Sequence, residues 1–557
     1  MDVIICAAGL GSRLFNYTHD VIPKYLVNID DNTGLYHIIK YWSKYSENIY
    51  LIINSKYVNL TNFYIKSIFD DEHCNKIKII NYDTSDGTAY TLNFIINNKL
   101  PNTLSNNFLI TWCDLYPTEP LYQSRFTKSG IYVFTHGNSC RYLFNDNIKD
   151  EYNNDQYNDN DKHNKIINRD SECDGNILGI YYFHNIKSFK IDNSNSLNND
   201  IVIFLKDLGE LFNYKVESII DYGDENKLNT LHKIYYPDIN LLESSNLRCR
   251  YFNQLTILDT EPDKNEPPKI FKKGITDKGK ELIKNECEWF KCVPHQSFLP
   301  RVFNFYEHGY IMEYMKNHIP LYQFLKLPSL SENHNKILKT IFVNLNNLHK
   351  LEKIKVSELV FFNNIKIEIF DKLYSRKKAI SPLLDYFGNI KIVNSMEIMS
   401  FDDVFTKCKN IIIQYYKAIE KYEYSIIMGD CQFSNILIDR SNINNVIFID
   451  PRGYFGTSKV HGPIEYDYAK ILYAISGYDD FNTGKFNLTK LDTESGILDF
   501  DIQPIISFDE LLIKYYFNKV HRAFMVIIWL SLAEYNKNDI WKCLCSYYHG
   551  LYLGTQL

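Results

Sequence analysis

The chain has 557 residues, of which 45% are apolar and 23% charged, and its net charge is -6. That length exceeds what one hydrophobic core can organise, so two or more domains are expected. A mildly acidic chain of ordinary composition gives no reason to expect nucleic acid or an anionic membrane as principal partner. The 12 cysteines include no C-x-x-C pair, which argues against zinc sites and disulfide frameworks and for reduced, mostly buried thiols in a reducing compartment. The opening "MDVIICAAGLGSRL" has too short an apolar run for a signal peptide, and no stretch of eighteen apolar residues occurs. A cytoplasmic protein without a membrane span is expected.

In chain order, "VIIC" (3–6), "IYLIIN" (49–54), "IKIINY" (77–82) and "FLITWCD" (108–114) read as buried strands. "LYHIIKYWSKY" and "AYTLNFIINN" read as the helices between them. Strand and helix alternating at this spacing predict a mostly parallel sheet with helices on both faces. Residues 145–176 are rich in Asn and Asp and cannot bury a core, so a polar surface insertion is expected there. Order resumes at "ILGIYYFH" (177–184), and a last strand is predicted through "YKVESIIDYGD" (214–224).

The pattern then changes. "LRCRYFNQLTILDT" and "KIFKKG" read as antiparallel strands, "GKELIKNECEWFKCVP" as a one-faced helix, and "YIMEYM" (310–315) as a further strand. Beyond residue 330 helical periodicity dominates. Strands first and helices later predict a two-lobed α+β domain. The expected organisation is one domain over 1–232, a linker over 233–245 and a second domain over 246–557.

Two stretches carry chemistry. In the first domain a strand runs into "AAGLGSRL", where Gly9 and Gly11 let backbone N–H groups approach phosphate oxygens. Arg13 follows, and "IPKYL" places Lys24 behind a proline; such cations screen a triphosphate. "SDGTAYTL" sets Gly87 and Thr88 at a strand-to-helix turn. Asp114 stands at the carboxyl end of a strand, where ligands bind in open α/β sheets, and Asp221 ends a later one. Two such carboxylates suit Mg²⁺ held between protein and phosphates.

A-A-G-x-G-S-R-L, P-K, G-T-A, a strand-end Asp and D-x-G together resemble the nucleotidyltransferase family, which makes activated sugars and CDP-alcohols. The resemblance implies a Rossmann-like, mostly parallel sheet. It implies that Gly9, Gly11, Ser12 and Arg13 hold the nucleoside triphosphate and Lys24 the acceptor phosphate. Gly87 and Thr88 would border the base or ribose, and Asp114 and Asp221 would bind Mg²⁺. Where the family usually reads D-x-G-T this chain has Asp221-Tyr222-Gly223-Asp224, which leaves Asp221 and Asp224 as alternatives.

In the second domain, "IIMGDCQFSNILID" interrupts two apolar runs with Asp430 and, five residues on, Asn435. Phosphoryl transfer to an alcohol uses an Asp to accept the hydroxyl proton, and an Asn and a later Asp to hold Mg²⁺. "VIFIDPRG" supplies Asp450. "KIFKK" offers Lys272 or Lys273 and "NECEWF" offers Glu286, a strand lysine and a helix glutamate that would steady ATP. Strand alternation lets only one of the two lysines face the nucleotide, and Lys272 shares the face of Ile270. G-D-x-x-x-x-N followed by I-D-P-R-G resembles the aminoglycoside phosphotransferase and choline kinase family, which has the protein-kinase fold; similar chains occur in surface-polysaccharide biosynthesis. The resemblance implies Asp430 as catalytic base, Asn435 and Asp450 as metal ligands, and "YIMEYM" as the hinge over adenine. The usual His before G-D is Met428 here, and no Gly-rich loop is visible near 250–262. Asp467 is read as a cap or brace, and Arg452 as a partner of substrate or of Asp450.

The combined expectation is a bifunctional enzyme using Mg²⁺, ATP and a second nucleoside triphosphate (CTP, GTP or UTP). It would phosphorylate a small alcohol or sugar and transfer a nucleoside monophosphate onto the new phosphate. The alternative is a nucleotidyltransferase with a non-catalytic kinase-like binding module.

Overall fold

The computed structural model describes residues 1–9, 11–30, 32–83, 88–100, 103–140, 142–144, 166–168, 175–186, 189–191, 201–235, 253–258, 267–327, 333–503 and 510–557. The chain divides into two compact units, Met1–Pro237 and Asp238–Leu557.

The first unit is built on a seven-stranded sheet. Its order is Leu211–Lys215, Gly130–Cys140, Gly175–His184, Phe108–Trp112, Asp2–Cys6, Asn48–Ile53, Ile77–Asn81. The Asp2–Cys6 strand is parallel to both neighbours, as are the outer pairs, while Gly175–His184 runs antiparallel to the strands on either side. Ile4, Ile52 and Ile110 enter one core with Leu92 and Ile95 of the helical stretch that follows Thr88. Val3, Ile5, Ile49 and Leu51 project from the opposite face and are equally buried, which is why these strands read as unbroken apolar runs.

Two expectations need correction. "AYTLNFIINN" is α-helical over Thr88–Phe94 and then widens to a π-helix over Ile95–Lys99. The strand predicted through 214–224 is two strands in two sheets. Leu211–Lys215 pairs with Gly130–Cys140, and Val216 N donates to Thr135 O at the end of that ladder. The chain then bends, and Ile219–Asp221 pairs antiparallel with Leu115–Pro117, setting Asp221 opposite Leu115. An alternating pattern shows faces but not where a strand changes partner. The predicted insertion lies mostly outside the described residues; within it, Ile166–Asn168 pairs with Tyr142–Phe144. Residues 236–245 of the predicted linker also lie outside them, and 233–235 close the Glu225–Tyr235 helix.

The second unit begins with a four-stranded antiparallel sheet ordered Asn253–Leu258, Lys269–Gly274, Gly309–Glu313, Val302–Tyr306. The helix Asp277–Cys292, capped by Thr276 on Gly279 N, buries Ile283 and Cys287 against Ile270, Tyr310 and Met312 of that sheet. Long helices follow, among them His334–Leu351, Phe401–Ile419, Ile464–Ile475, Lys519–Tyr535 and Ile540–Thr555. The polar stretch at Asp430 lies between the strands Glu423–Ile426 and Ile436–Asp439, and the latter forms a hairpin with Val446–Phe448. Cys6, Cys74, Cys113, Cys287, Cys292, Cys408, Cys431, Cys543 and Cys545 are free thiols. Among the described residues no helix is long and apolar enough to cross a membrane.

Candidate functional site

In the first unit the strand Asp2–Cys6 ends in the glycine turn. Gly11 has φ 72°, and a Cβ there would lie 3.0 Å from Lys24 Cβ, so glycine lets the turn close on the lysine stem. Gly9, Ser12 and Arg13 are exposed, with Ser12 opening the short helix Ser12–Leu14. Lys24 reaches Asp114, with Nζ 2.5 Å from Oδ2. Burial disfavours the Lys24 charge, but Cys113 and Asp114 more than offset it and raise its pKa.

Asp221 is carried to the same place by the short ladder with Leu115–Pro117. A Cβ on Gly223 would meet Asp114 Oδ2 at 2.9 Å and Asp221 Oδ1 at 3.3 Å, so both carboxylates converge above that glycine. Tyr222 anchors the segment. Its N donates to Asp114 O at 2.9 Å and its hydroxyl donates to Cys113 O, with the ring fully buried where Gly34 has no side chain. Asp224 is engaged elsewhere, since its Oδ1 accepts from Lys227 N and caps the Glu225–Tyr235 helix. Of the two alternatives, Asp221 is therefore the one beside Asp114. Thr88 opens its helix and accepts from Ile201 N at 3.2 Å; Gly87 lies outside the described residues.

Lys227 was not anticipated. Its Nζ is 2.6 Å from Asp221 Oδ2 and 3.6 Å from Asp224 Oδ2. The only signal in the sequence was its i,i+3 spacing from Asp224.

Among the described residues no group of three or more His, Cys, Asp or Glu side chains could hold a metal by itself. Mg²⁺, however, is commonly bound by one or two carboxylates together with substrate phosphates. Asp114 fits that donor set, because its Oδ1 is buried without a hydrogen-bond partner while its Oδ2 faces Lys24.

In the second unit Lys272, not Lys273, points inward. Its Nζ lies 2.7 Å from both Glu286 Oε2 and Asp450 Oδ1, and its side chain is only 4% exposed. Burial works against its charge, yet Asp450 and Glu286 together raise its pKa. Tyr310, at the start of the predicted hinge, donates to Glu286 Oε2 at 2.7 Å. Asp450 stands at φ 56°, a conformation a non-glycine residue adopts only when its surroundings impose it.

Asn435 Nδ2 donates to Asp430 O at 2.8 Å, which fixes the amide by its nitrogen and leaves its oxygen outside that bond. Ile449 N donates to Asn435 O, tying the Asp450 strand to the same loop. Asp430 Oδ1 is 2.9 Å from Lys470 Nζ. Burial tends to discharge Lys470, and the neighbouring Asp430 outweighs it. Asp467 is the brace: its carboxylate accepts from Gly429 N at 2.7 Å and Met428 N at 3.0 Å, and pairs with His349 Nε2 at 2.9 Å. A histidine thus supports this loop from a distant helix, with Met428 in the chain position before Gly429. Arg452 does not pair with Asp450; it is held by Glu368, Tyr466 and Tyr454. Lys470, His349 and Glu368 went unanticipated because one sequence does not show which helices face the loop.

No family model matches the chain, and no curated protein matches it. Solved structures similar to its amino-terminal part include a protein described as a glucose-1-phosphate thymidylyltransferase from Bacillus anthracis (18% identity, 43% of this chain and 96% of that one, TM-score 0.33). Others are the inositol-1-phosphate CTP transferase from T. maritima (17% identity, 42% and 96%, TM-score 0.32) and the CTP:phosphocholine cytidylyltransferase from Streptococcus pneumoniae (19% identity, 42% and 98%, TM-score 0.31).

Proposed function

We propose that the chain is a bifunctional enzyme. Its carboxyl unit, a protein-kinase-like two-lobed domain, would phosphorylate a small alcohol or sugar with ATP. Its amino unit would transfer a nucleoside monophosphate from a nucleoside triphosphate onto a phosphate monoester. The observation that carries the reading is shared by both units: a lysine sits on the strand-end carboxylate assigned to Mg²⁺, half-buried Lys24 on Asp114 and buried Lys272 on Asp450. A phosphate arriving at either site meets a cation already in place.

In the carboxyl unit Asp430 accepts the proton of the attacking hydroxyl, whose oxygen bonds to the γ-phosphorus of ATP as ADP departs. Lys470 pairs with Asp430, and Gly429 and Met428, held by Asp467, fix its position. Lys272, kept in place by Glu286, turns to the ATP phosphates. In the amino unit an oxygen of the acceptor phosphate attacks the α-phosphorus in line, and pyrophosphate leaves. Lys24 orients the acceptor phosphate, and Arg13, exposed beside the glycine turn, is free to close on the triphosphate. Mg²⁺, held by Asp114 and Asp221 in one unit and by Asn435 and Asp450 in the other, would supply charge neutralisation on the transferring phosphoryl group.

The test is to incubate the purified full chain with Mg²⁺, each nucleoside triphosphate and a panel of sugar and alcohol phosphates. Pyrophosphate should appear with at least one pairing; its absence from every pairing would remove the transferase half. ADP release with unphosphorylated acceptors tests the kinase half separately.

A further inference from the structure

A second charged cluster borders Asp430 and takes no part in the machinery above. Residues Glu358–Phe387 form one helical stretch whose middle, Lys366–Asp371, is wound as a π-helix. Such turns sacrifice hydrogen-bond geometry and recur at functional sites. This one carries Glu368, whose side chain is buried. Two cations meet the same Glu368 oxygen: Lys372 Nζ at 2.8 Å, and Arg452 Nη2.

Arg452 is built in. Its guanidinium donates to Tyr466 OH at 2.7 Å and lies 4.6 Å from the Tyr454 ring centroid. Its backbone N donates to Met428 O at 2.7 Å, and Gly429 admits its stem, since a Cβ there would fall 2.8 Å from Arg452 Cβ. Tyr466 and Lys470 lie four residues apart on one helix face, and Lys470 holds Asp430. The helix face that carries Lys470 on Asp430 therefore also carries Tyr466 on Arg452, and Arg452 shares Glu368 with Lys372.

Charge does not balance around Glu368. Two cations share one carboxylate, and Arg376 adds further positive field at Lys372. Burial first, and Arg452 second, push the Lys372 ammonium down to about 7. Yet Lys372 remains 29% exposed and Arg452 14%, so both can be reached from solvent. A half-buried site with more cations than anions is one that an incoming anion completes.

We propose that Lys372 and Arg452 form the anion subsite of the acceptor pocket, so that the alcohol phosphorylated at Asp430 carries its own carboxylate or phosphate ester. This rests on the kinase reading of the carboxyl unit. A cationic alcohol would meet like charge here, and a neutral sugar would leave the cations uncompensated.

The full chain is assayed for ADP release with Mg²⁺-ATP and matched alcohols: glycerol, glycerate, glycerol 3-phosphate, a hexose, its hexuronate, and choline. Acid-bearing alcohols should exceed their neutral parents in kcat/KM by about tenfold or more, the scale of a hydrogen bond to a charged group. The better of glycerate and glycerol 3-phosphate tells carboxylate from phosphate. Lys372→Met, which leaves Glu368 paired with Arg452, should raise KM for the acids by about tenfold with little change in kcat, and Lys372→Arg should restore it. Equal use of neutral or cationic alcohols, or a Lys372→Met enzyme with unchanged KM for acids, would overturn the subsite while leaving the kinase standing. If no alcohol yields ADP, the kinase reading fails, and calorimetric binding of glycerate and glycerol 3-phosphate decides the subsite alone. Binding that Lys372→Met abolishes supports it; no binding, or binding that survives the substitution, overturns it.

Discussion

The two candidate sites solve one electrostatic problem in different ways. In the carboxyl unit Lys272 bridges two acids, Glu286 and Asp450, and all three are held by short contacts. In the amino unit Lys24 has one acid, Asp114, whose second oxygen is buried without a partner, while Asp221 is held by a separate lysine, Lys227. The first arrangement is closed on itself and pre-organised. The second is short of one positive contact, and a phosphate-bound cation is what would supply it. The difference predicts that nucleotide with Mg²⁺ orders the amino site more than the carboxyl site.

The largest effect that can break this comparison is at Asp450. Asp450→Asn should lower alcohol-dependent ADP release by about 10³-fold, the scale of several kcal/mol of lost charge stabilisation. Pyrophosphate release in the amino unit, with a pre-phosphorylated acceptor, should be unchanged. A carboxyl unit that only binds nucleotide would show no difference in the first assay, and that result would remove its catalytic role.

Next in size are the lysines themselves. Lys272→Met strands two acids, and a buried pair broken on one side costs about 3–5 kcal/mol. Lys24→Met strands one acid that already lacks a partner on its other oxygen, so its cost should be smaller. Urea unfolding of the two variants ranks them directly, and a larger loss for Lys24→Met would reverse the comparison.

How much of this could be read from residues alone also differs between the sites. In the amino unit the glycine turn, Lys24 and Asp114 were legible because they sit next to strand runs whose period is plain. Asp221 was expected beside Asp114, with Asp224 as the alternative; the choice depended on the chain leaving one ladder after Lys215 and pairing Asp221 opposite Leu115, which no local pattern encodes. In the carboxyl unit alternation identified Lys272 over Lys273, since Ile270 on the same face is in the core. Arg452 was visible as a partner of substrate or of Asp450, but its pairing with Glu368 was not, because Glu368 lies far away in sequence and only the fold brings them together. Local chemistry is written in short stretches, whereas long-range pairing is decided by packing.

Gly34 offers a finer test of the amino site. A Cβ at Gly34 would fall 1.9 Å from the Tyr222 hydroxyl, and Tyr222 is fully buried, so the ring must shift and carry Asp221 and Gly223 with it. Gly34→Ala should therefore cost about 1–3 kcal/mol and reduce nucleotidyl transfer roughly tenfold, with ADP release unaffected. If stability falls but transfer does not, the convergence of Asp114 and Asp221 above Gly223 is not what the reaction uses.

The smallest effect is a pH dependence confined to the carboxyl unit. Lys372 is faced by Glu368, Arg452 and Arg376, and its ammonium is held down to about 7. An acid seated on it binds the protonated form, so above that value binding must take up a proton and affinity falls as pH rises. Between about pH 7 and pH 8 the apparent Kd for glycerate should rise about fivefold by proton linkage. Glycerate itself does not titrate in that window, so the change reports the protein. Binding of glycerate to Lys372→Arg should stay flat over the same range, since a guanidinium keeps its proton. The amino site supplies the control: the Lys24 pKa is raised rather than lowered, so acceptor binding there should not weaken over the same interval on account of that lysine.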